Sequence, residues 1–325
     1  MKAIGWTAYG EPDVLKLIDI EKPVPKNNEV LIRIYATTVT SGDCRLRALN
    51  VPFGMKLLTR LAFGIAKPRK LIPGMDFSGE VERVGNKVSQ FKEGDRVFGS
   101  TGMKFGANAE YTCIEENSAI VQIPDSLSYK NAVSLIFGGL TAIHFLRDNV
   151  KIKNDDQILI NGASGSVGTS SIQIAKYYGA YVTGICSSKN HEIAKSLGAD
   201  NMIDYTKEEF YKNGKSYDVI LDTVGNLLFS TCQKSLTKPG KAILISTGLG
   251  TILQSLFNKK LVCGVAGESK ESLQFLIELV NSGKLTPVID SAYPLENTVE
   301  AHRYVDSGHK KGNVVLTITN KKHNK

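Results

Sequence analysis

The chain has 325 residues, with 40 Lys and Arg against 32 Asp and Glu and a formal net charge of +8. This length exceeds the ~250–300 residues at which single hydrophobic cores stop growing, so it predicts two domains. The composition is that of a globular protein, and no apolar run reaches the ~18–20 residues that a membrane span needs. The N-terminus lacks the apolar stretch and cleavage site of a signal peptide. We therefore expect a cytoplasmic protein without stable membrane insertion.

The charge and the cysteines exclude several classes of function. The positive charge indicates either a solvated, lysine-rich surface or a cleft that attracts a polyanionic cofactor. No basic helix, zinc finger or aromatic-interleaved basic patch accompanies it, so nucleic-acid binding is not expected. The five cysteines are dispersed and form no CxxC pair, which argues against disulfides and a thiolate zinc site. We expect the basic tail, residues 321–325, to be frayed.

The first ~120 residues are typical of short strands, with Gly, Pro and Asp between segments of β-branched and aromatic residues. From about Asp125 a helical segment precedes an alternation of strand and helix patterns. This alternation predicts an α/β fold with a parallel sheet covered by helices on both faces. Six strands are available, which suits two mononucleotide-binding halves. The terminal β-rich piece is expected to rejoin the N-terminal domain.

Residues 52–70 differ from the strands around them. Apolar residues recur there at helical spacing, with Lys56 and Arg60 elsewhere on the turn. These apolar residues are Met55, Leu58, Leu61, Ala62 and Ile65. Three interpretations stay open: a surface helix packed on the β-rich domain or against a second copy, a mobile cap over the substrate cleft, and a helix that docks on a membrane surface.

Residues 157–178 carry the most informative motif, in which a short apolar run leads into a turn of small residues and then a helical pattern. Such a turn lets the backbone approach a pyrophosphate, and the N–H groups and dipole of the following helix stabilise its charge. Read against the GxGxxG fingerprint, Ala163 replaces the first glycine. The predicted dinucleotide-binding residues of the turn are Ala163, Ser164, Gly165, Ser166, Val167 and Gly168.

The end of the next strand predicts which dinucleotide binds. NAD-binding turns have an acidic residue about 20 positions after the glycine loop, which bonds the ribose 2′-hydroxyl. Residues 183–190 contain no carboxylate, and Ser187, Ser188 and Lys189 offer two hydroxyls and an ammonium group instead. These groups suit a 2′-phosphate, and Tyr205 after the following strand is a further candidate to stack or bond there. The sequence predicts NADPH, although the two serines could also cap the next helix.

Further motifs along nearly the whole chain resemble the zinc-independent medium-chain dehydrogenases/reductases of the quinone oxidoreductase branch. The motifs occupy residues 73–81, 93–99, 161–180, 196–205, 222–226 and 307–316. The resemblance implies a Rossmann doubly wound parallel sheet in residues 124–267. It also implies a GroES-like β-rich substrate domain in residues 1–123 and 268–325, with the active site between the two domains. Homodimers, often joined through the Rossmann sheets, are a further implication.

The resemblance also implies which positions would carry a catalytic zinc ion. Zinc-dependent members bind the metal through a Cys and a His, and the corresponding positions here hold Thr40 and Met75. Zinc in proteins is bound by thiolate, imidazole or carboxylate groups, so neither residue is a suitable ligand. The cysteine-rich structural zinc lobe is absent too. No histidine has a metal-binding spacing, and we expect no metal role for His144, His191, His302, His309 or His323.

Several cofactor positions follow from the resemblance. Thr141 matches a family position near the nicotinamide and its phosphate. Two further strand ends lie where open α/β sheets bind cofactors, and they add Thr223, Val224, Gly225, Ser246 and Thr247. Where the family has Gly-Lys-Val near the C-terminus, this chain has Asn313 in place of the lysine. We expect Lys311 to supply the charge there, beside Gly312 and Asn313.

The chemistry follows from the missing Lewis acid, because without one nothing lowers the pKa of an alcohol hydroxyl for oxidation. Quinones and α,β-unsaturated ketones or aldehydes do not need a metal ion for activation, since they are already electrophilic and accept a hydride directly. Thr40, Asp43 and Arg45 are the candidates for the substrate side. For Asp43 and Arg45, a buried ion pair is the other interpretation. Tyr35 and Tyr111 are candidate proton donors or core residues, and solvent is another proton source.

The leading hypothesis is an NADPH-dependent reductase of quinones or of α,β-unsaturated ketones and aldehydes, acting on small soluble electrophiles. An enoyl-thioester reductase is the alternative enzyme. It would need a basic patch for the phosphates of the acyl carrier, for which the candidates are Arg60, Lys67, Arg69 and Lys70. A non-catalytic NADPH-binding sensor or structural protein is the hypothesis from another class. The physiological acceptor is not specified by the sequence.

Overall fold

The computed structural model describes residues 1–318. Within these residues, the alternating apolar pattern of the N-terminal third produces a two-stranded antiparallel ribbon, β1–β2, and five strands of a seven-stranded sheet, β3–β7. The bounds are Lys2–Trp6 (β1), Leu15–Asp19 (β2), Glu29–Val39 (β3), Asp76–Val84 (β4), Arg96–Ser100 (β5), Tyr111–Glu115 (β6) and Ile120–Gln122 (β7). Residues 321–325, including His323, lie outside the described residues.

The C-terminal strands complete the seven-stranded sheet. These strands are Ile289–Pro294 (β14) and Asn313–Thr317 (β15). β15 is antiparallel to the second half of β3, beside the stretch of β3 that pairs with β6, and β14 is parallel to β15. Strands β3–β7 from the N-terminal third and the last two described strands therefore share one sheet. The domain boundaries at residues 123/124 and 267/268 stay a prediction.

The middle of the chain forms a six-stranded parallel sheet, which confirms the predicted Rossmann architecture. Its strands are Gln157–Asn161 (β8), Tyr181–Ile185 (β9), Asn201–Ile203 (β10), Tyr217–Asp222 (β11), Leu236–Leu244 (β12) and Leu261–Cys263 (β13). In the sheet they follow the order β10-β9-β8-β11-β12-β13. Strands β8, β9 and β10 are added towards one edge of the sheet, and β11, β12 and β13 towards the other. The boundary between β8 and β11 is therefore the switch point, where doubly wound sheets bind ligands.

The helices pack on these sheets. Their bounds are Ser41–Ala48 (α1), Lys56–Phe63 (α2), Tyr129–Ala142 (α3), Ser166–Tyr177 (α4), His191–Ser196 (α5), Phe229–Gln233 (α6), Leu249–Phe257 (α7), Lys270–Asn281 (α8) and Thr298–Asp306 (α9). α3 is buried along most of its length and contacts α4 on one side and β3 and β4 on the other. A Cβ on Gly138 would lie 2.3 Å from the Ser166 carbonyl oxygen, so this glycine lets α3 approach α4 closely.

The segment 52–70 contains the predicted helix as α2. Tyr9 donates a hydrogen bond to the Gly64 carbonyl oxygen (2.8 Å), and the ring of Phe63 packs edge-on against Phe105. The Leu249 N–H donates to the Phe53 carbonyl oxygen (3.1 Å), so the segment also contacts the start of α7. These contacts favour the interpretation as a surface helix. Within residues 1–318 no helix is long and apolar enough to cross a membrane.

Candidate active site

A cavity of about 820 Å³ lies between the β-rich unit and the Rossmann unit. This volume is typical of cofactor and small-molecule sites. One wall comes from α1 and from the segment around Asp76, and the other comes from α3, the glycine turn and the ends of β11, β12 and β13. The predicted residues that line it are Arg45, Thr141, Ser164, Gly165, Ser166, Val167, Thr223, Val224 and Ser246.

The tight turn after β8 depends on Gly162 rather than on residue 163. Gly162 has φ +84°, a conformation that favours glycine. Ala163 is fully buried, and its methyl group occupies space next to Gly184, where an added Cβ would lie 2.9 Å away. The fingerprint's first glycine is therefore not needed at position 163. Gly168 is needed, because a Cβ there would lie 2.2 Å from the Gly162 carbonyl oxygen.

Helix α4 begins at the cavity wall with its first amide groups available. Its N-cap residue is Gly165, which has no side chain to bond them. The N–H groups of the first turn have no partner within a helix, so Ser166, Val167 and Gly168 can donate to an anion. Gly312 closes the turn from outside through its N–H, which donates to the Ser164 carbonyl oxygen (2.8 Å). This geometry fits the pyrophosphate of a dinucleotide.

The predicted 2′-phosphate site contains a carboxylate that sequence reasoning missed. Asp204, directly after β10, accepts hydrogen bonds from the backbone N–H (3.1 Å) and the hydroxyl of Ser188. Bonds from Ser188 and Thr206 lower the pKa of this carboxyl, so it is ionised. Lys207 donates to the Ser188 hydroxyl (3.1 Å) and lies 3.7 Å from Asp204. The Ser188 hydroxyl is therefore engaged with protein groups, and Lys207 adds a cation.

The other two members of this site are more available. Lys189 is exposed, and the hydroxyl of Ser187 makes no side-chain cap for the short helical turn that follows it. Tyr205 is 60% exposed beside Asp204. These side chains lie at the ends of β9 and β10, and they do not line the cavity itself. An extended ligand that starts in the cavity would reach them along the carboxyl edge of the sheet.

The ends of β11 and β12 are held rigidly. The fully buried Asp222 carboxylate accepts hydrogen bonds from the N–H groups of Val224, Gly225 and Leu227, at 3.0–3.1 Å. Thr223 bonds the Asn161 carbonyl oxygen through its hydroxyl (2.8 Å). Gly225 has φ +87°, and neither it nor Thr247 is among the residues that line the cavity. The loop is thus fixed before any ligand binds.

Arg45 joins the two units across the cleft. Its guanidinium donates to the Val224 carbonyl oxygen (2.8 Å) and to the Ser246 hydroxyl. Asp43 is occupied elsewhere, because its carboxylate accepts from the N–H (2.8 Å) and the hydroxyl (2.6 Å) of Thr40. The two residues form a capping box at the start of α1. The alternative of a buried Asp43–Arg45 ion pair is thus not what the structure contains.

The C-terminal loop places a different lysine in the cavity from the one expected. Lys310 lines the cavity and donates to the Gly312 carbonyl oxygen (2.7 Å), and burial lowers its pKa to about 8. Lys311 is exposed and lies outside the cavity lining. The Asn313 amide is used internally: it accepts from the Ser166 hydroxyl (2.6 Å) and donates to the Ser134 carbonyl oxygen (2.9 Å). Asn313 therefore positions α4 rather than facing the cavity.

Comparisons with known proteins agree along the whole chain. The alcohol dehydrogenase GroES-like domain matches residues 26–125, and a family described as zinc-binding dehydrogenase matches residues 197–316. The chloroplastic quinone-oxidoreductase QR1 of Triphysaria versicolor is 34% identical, over 97% of this chain and 98% of its own. The solved quinone oxidoreductase of Coxiella burnetii is 31% identical with a TM-score of 0.87, over 98% of this chain and 99% of that one. The chain belongs to the quinone oxidoreductase branch of the medium-chain dehydrogenases/reductases.

A third similar protein is named for a different activity. The chloroplastic NADPH-dependent alkenal/one oxidoreductase of Arabidopsis thaliana is 32% identical, over 97% of this chain and 79% of its own length. The match to the GroES-like family at residues 26–125 shows that the β-rich unit of this chain is a GroES-like domain, as the motifs predicted.

Of the two positions that correspond to zinc ligands in zinc-dependent members of the family, one lines the cavity. Thr40 is 5% exposed and caps α1, and Met75 lines the cavity. Neither side chain has a group that zinc prefers. In residues 1–318 the structure brings together no group of three or more His, Cys, Asp or Glu side chains that could bind a metal.

Thr141 sits where α3 reaches the cleft. It is 6% exposed, and its hydroxyl donates to the Phe137 carbonyl oxygen one turn earlier (2.7 Å). Tyr35 and Tyr111, the candidate proton donors, do not line the cavity. Tyr35 stacks on Tyr129 with ring centroids 4.7 Å apart, and Lys22 lies over the Tyr111 ring. Their surroundings favour the structural interpretation of both tyrosines.

Proposed function

We propose that this chain is a zinc-independent, NADPH-dependent reductase of quinones or of α,β-unsaturated ketones and aldehydes. The observation that carries this proposal is the composition of the cleft between the two units. One end has a glycine turn and a helix N-terminus suited to a dinucleotide, and the other end has Met75 where a metal ligand would stand. The activities for which the relatives are named, quinone oxidoreductase and NADPH-dependent alkenal/one oxidoreductase, support the same two acceptor classes.

NADPH would lie along the carboxyl edge of the Rossmann sheet. The N–H groups at the start of α4 would bond its pyrophosphate, and the strand ends at Thr223 and Ser246 would flank its ribose and nicotinamide. When bound, NADPH supplies a hydride to the acceptor. Lys310, rather than Lys311, is the lysine that lines the cavity from the C-terminal loop. We propose it as the cation of this loop that faces the cofactor.

Selectivity for the 2′-phosphate would depend on Ser187, Lys189, Tyr205 and Lys207. The Asp204 carboxylate opposes a phosphate by charge, and the two lysines offset it. A hydrogen bond to a charged group contributes about 1.5–3 kcal/mol, and each 1.4 kcal/mol is about tenfold in affinity. One such contact is enough to favour NADPH over NADH measurably.

The acceptor end of the cleft suits a small apolar electrophile. Met75, Met103 and Phe137 line it. The enoyl-thioester alternative is less favoured, because two of its four basic candidates bond their own segment. Arg60 donates to the Ile65 carbonyl oxygen (2.6 Å), and Arg69 donates to the Ala62 carbonyl oxygen (3.5 Å).

A homodimer completes the proposal. β13 is an edge strand of the parallel sheet, and an uncovered edge favours pairing with another chain. Beside it α7 exposes Leu256 (71%) and Phe257 (92%). We expect light scattering to give twice the mass of the chain, and Leu256→Asp to give a monomer, with Leu17→Asp as the control.

The cytoplasmic location stays a prediction, since the QR1 relative is chloroplastic.

The proposed function is tested by NADPH consumption in the presence of a chelator. The assay offers a benzoquinone, an α,β-unsaturated ketone, an enoyl thioester and a simple alcohol with NADP⁺. We expect turnover with the quinone or the ketone, and slower or no turnover with the other two. Tight NADPH binding without turnover of any acceptor would support the non-catalytic alternative and contradict the proposal.

A further inference from the structure

Two carboxyl groups at the acceptor end of the cleft have no part in the function described so far. Asp76, the first residue of β4, lines the cavity and is 4% exposed. Glu268, between β13 and α8, lines the same cavity and is exposed to it. A Cβ on Gly102 would lie 2.7 Å from Glu268 Oε2, so this carboxyl group lies against the backbone of the segment that follows β5. The two acids meet where the acceptor would bind.

Ser100 connects these two acids. It lies opposite Asp76 in the β4–β5 pair and is 2% exposed. Its oxygen accepts from the N–H of Gly102 (3.2 Å), the residue whose added Cβ would meet the Glu268 carboxyl group. Proximity of the Ser100 hydroxyl lowers the pKa of both acids, so it faces both. A serine hydroxyl has one proton and two lone pairs. Because it can donate to only one carboxylate at a time, a proton on the other acid would complete the set of hydrogen bonds.

The surrounding charges also favour a protonated carboxyl group at this place. Burial raises the pKa of Asp76 well above its usual value, and the carboxylates of Glu268 and Asp43 raise it further. Glu268 is exposed as a whole residue, but desolvation of its carboxyl group within the cleft also raises its pKa. The other groups that face Asp76 are the hydroxyls of Ser100 on β5 and of Thr38 on β3, the latter at 3.1 Å. Two neighbouring acids in such surroundings titrate as a pair.

We propose that Asp76 and Glu268 share one proton through Ser100, and that Glu268 donates it to the reduced acceptor. This inference rests on the proposed function. In the reduction of an α,β-unsaturated ketone, the hydride forms a C–H bond at the β-carbon and leaves an enolate. The O–H bond of the acid pair breaks, and its proton forms an O–H bond on the enolate oxygen. The resulting enol becomes the saturated ketone in water.

The charges balance in this step. The acid pair changes from one negative charge to two, and the loss of the hydride that NADPH would supply when bound offsets this by one positive charge. A proton from solvent restores the pair through the exposed Glu268 after the product leaves. Asp76 and Ser100 act here as positioning residues, because they hold the proton and orient the donor without touching the acceptor.

The shared proton can be tested without turnover, by infrared difference spectroscopy of the cofactor-free protein between pH 5 and pH 9. We expect the C=O band of a protonated carboxylic acid at pH 7. Asp76→Asn should remove this band, and Glu268→Gln should move its titration to lower pH, because one neighbouring charge is lost. Glu278→Gln, an exposed position on α8, should match the wild type. Complete ionisation of both carboxyl groups of the wild type below pH 5 would overturn the proposal that they share a proton.

The donor role needs a second measurement, in which wild-type turnover is established first. With an α,β-unsaturated ketone, we expect Glu268→Gln to lower kcat by about 100-fold, the typical contribution of a general acid. NADPH affinity, measured by fluorescence, should stay within about twofold. The fall of wild-type kcat at high pH should disappear in the variant.

The two proposals fail in different ways. A wild-type protein that reduces neither acceptor class contradicts the proposed function and the donor role together, while the infrared titration still decides the shared proton. An active wild type with an equally active Glu268→Gln variant and an unchanged pH profile overturns the donor role alone.

Discussion

Single residues at the cleft perform tasks that their neighbours in sequence do not suggest. Asp222, fully buried, uses its carboxylate to hold the loop that flanks the cofactor site. Asp43 caps a helix through Thr40, while Arg45, two residues later, bridges the cleft to Ser246. The same residue types could equally have formed an ion pair. Their tertiary partners decide the role.

Asp76→Asn tests the buried acid through stability. The raised pKa means that native Asp76 binds a proton at pH values where the unfolded chain has already lost it. Stability is therefore lost as pH rises from about 4 towards the pKa of the native group. We expect the variant to have a Tm roughly 2–4 °C above the wild type at pH 8, and a smaller difference near pH 4.

Calorimetry across this pH range measures the effect, with Asp125→Asn as the control because the Asp125 side chain is fully exposed. Equal Tm values for Asp76→Asn and wild type at every pH would show that Asp76 is not protonated in the native state.

Lys189→Ala tests the 2′-phosphate site. Loss of one charged hydrogen bond, about 1.5–3 kcal/mol, should raise the KM for NADPH roughly 10- to 100-fold and leave the KM for NADH unchanged. Lys195→Ala removes another exposed lysine nearby, on α5, and should change neither value. Steady-state kinetics with both cofactors gives the comparison. A parallel rise in both KM values would point to a structural effect of Lys189 instead.

At the scale of elements, the strand–turn–helix unit of β8 and α4 was predictable, because glycine spacing and apolar runs are local signals. The role of Gly162 was less visible, since the fingerprint counts from position 163. Asp204, Lys310 and Glu268 could not be assigned from sequence. Asp204 lies at the predicted 2′-phosphate site directly after β10, whereas Lys310 and Glu268 line the cavity from a C-terminal loop and from the segment after β13. Only tertiary packing decides these places.

Gly168→Ala tests the close approach within this unit. The new Cβ would lie 2.2 Å from the Gly162 carbonyl oxygen, so the helix or the turn must move. Overpacking of this kind costs about 1–3 kcal/mol, and we expect at least tenfold weaker NADPH binding by calorimetry. Gly250→Ala is the matched control on α7, where nothing lies within 4 Å of the added methyl group. Wild-type affinity in Gly168→Ala would refute the assigned geometry of the turn.

At the scale of the whole molecule, the two units make one site from parts that neither unit has alone. The Rossmann unit supplies the dinucleotide cradle, and the GroES-like unit supplies Met75, Asp76 and the Arg45 bridge. The class of fold was readable from the alternating patterns and the motifs. The identity of the acceptor was not, because it depends on the shape of the cleft that forms between the units.

The most direct test of the central claim follows a deuterium atom. Chelator-treated protein is mixed with NADPH deuterated at C4, on one face or the other in separate samples, and with an α,β-unsaturated ketone, and the product is analysed by NMR. The account predicts deuterium at the β-carbon from one of the two labelled faces only, with no loss of rate on metal removal. Label that appears in solvent, or turnover that stops with the chelator and returns with zinc, would contradict it.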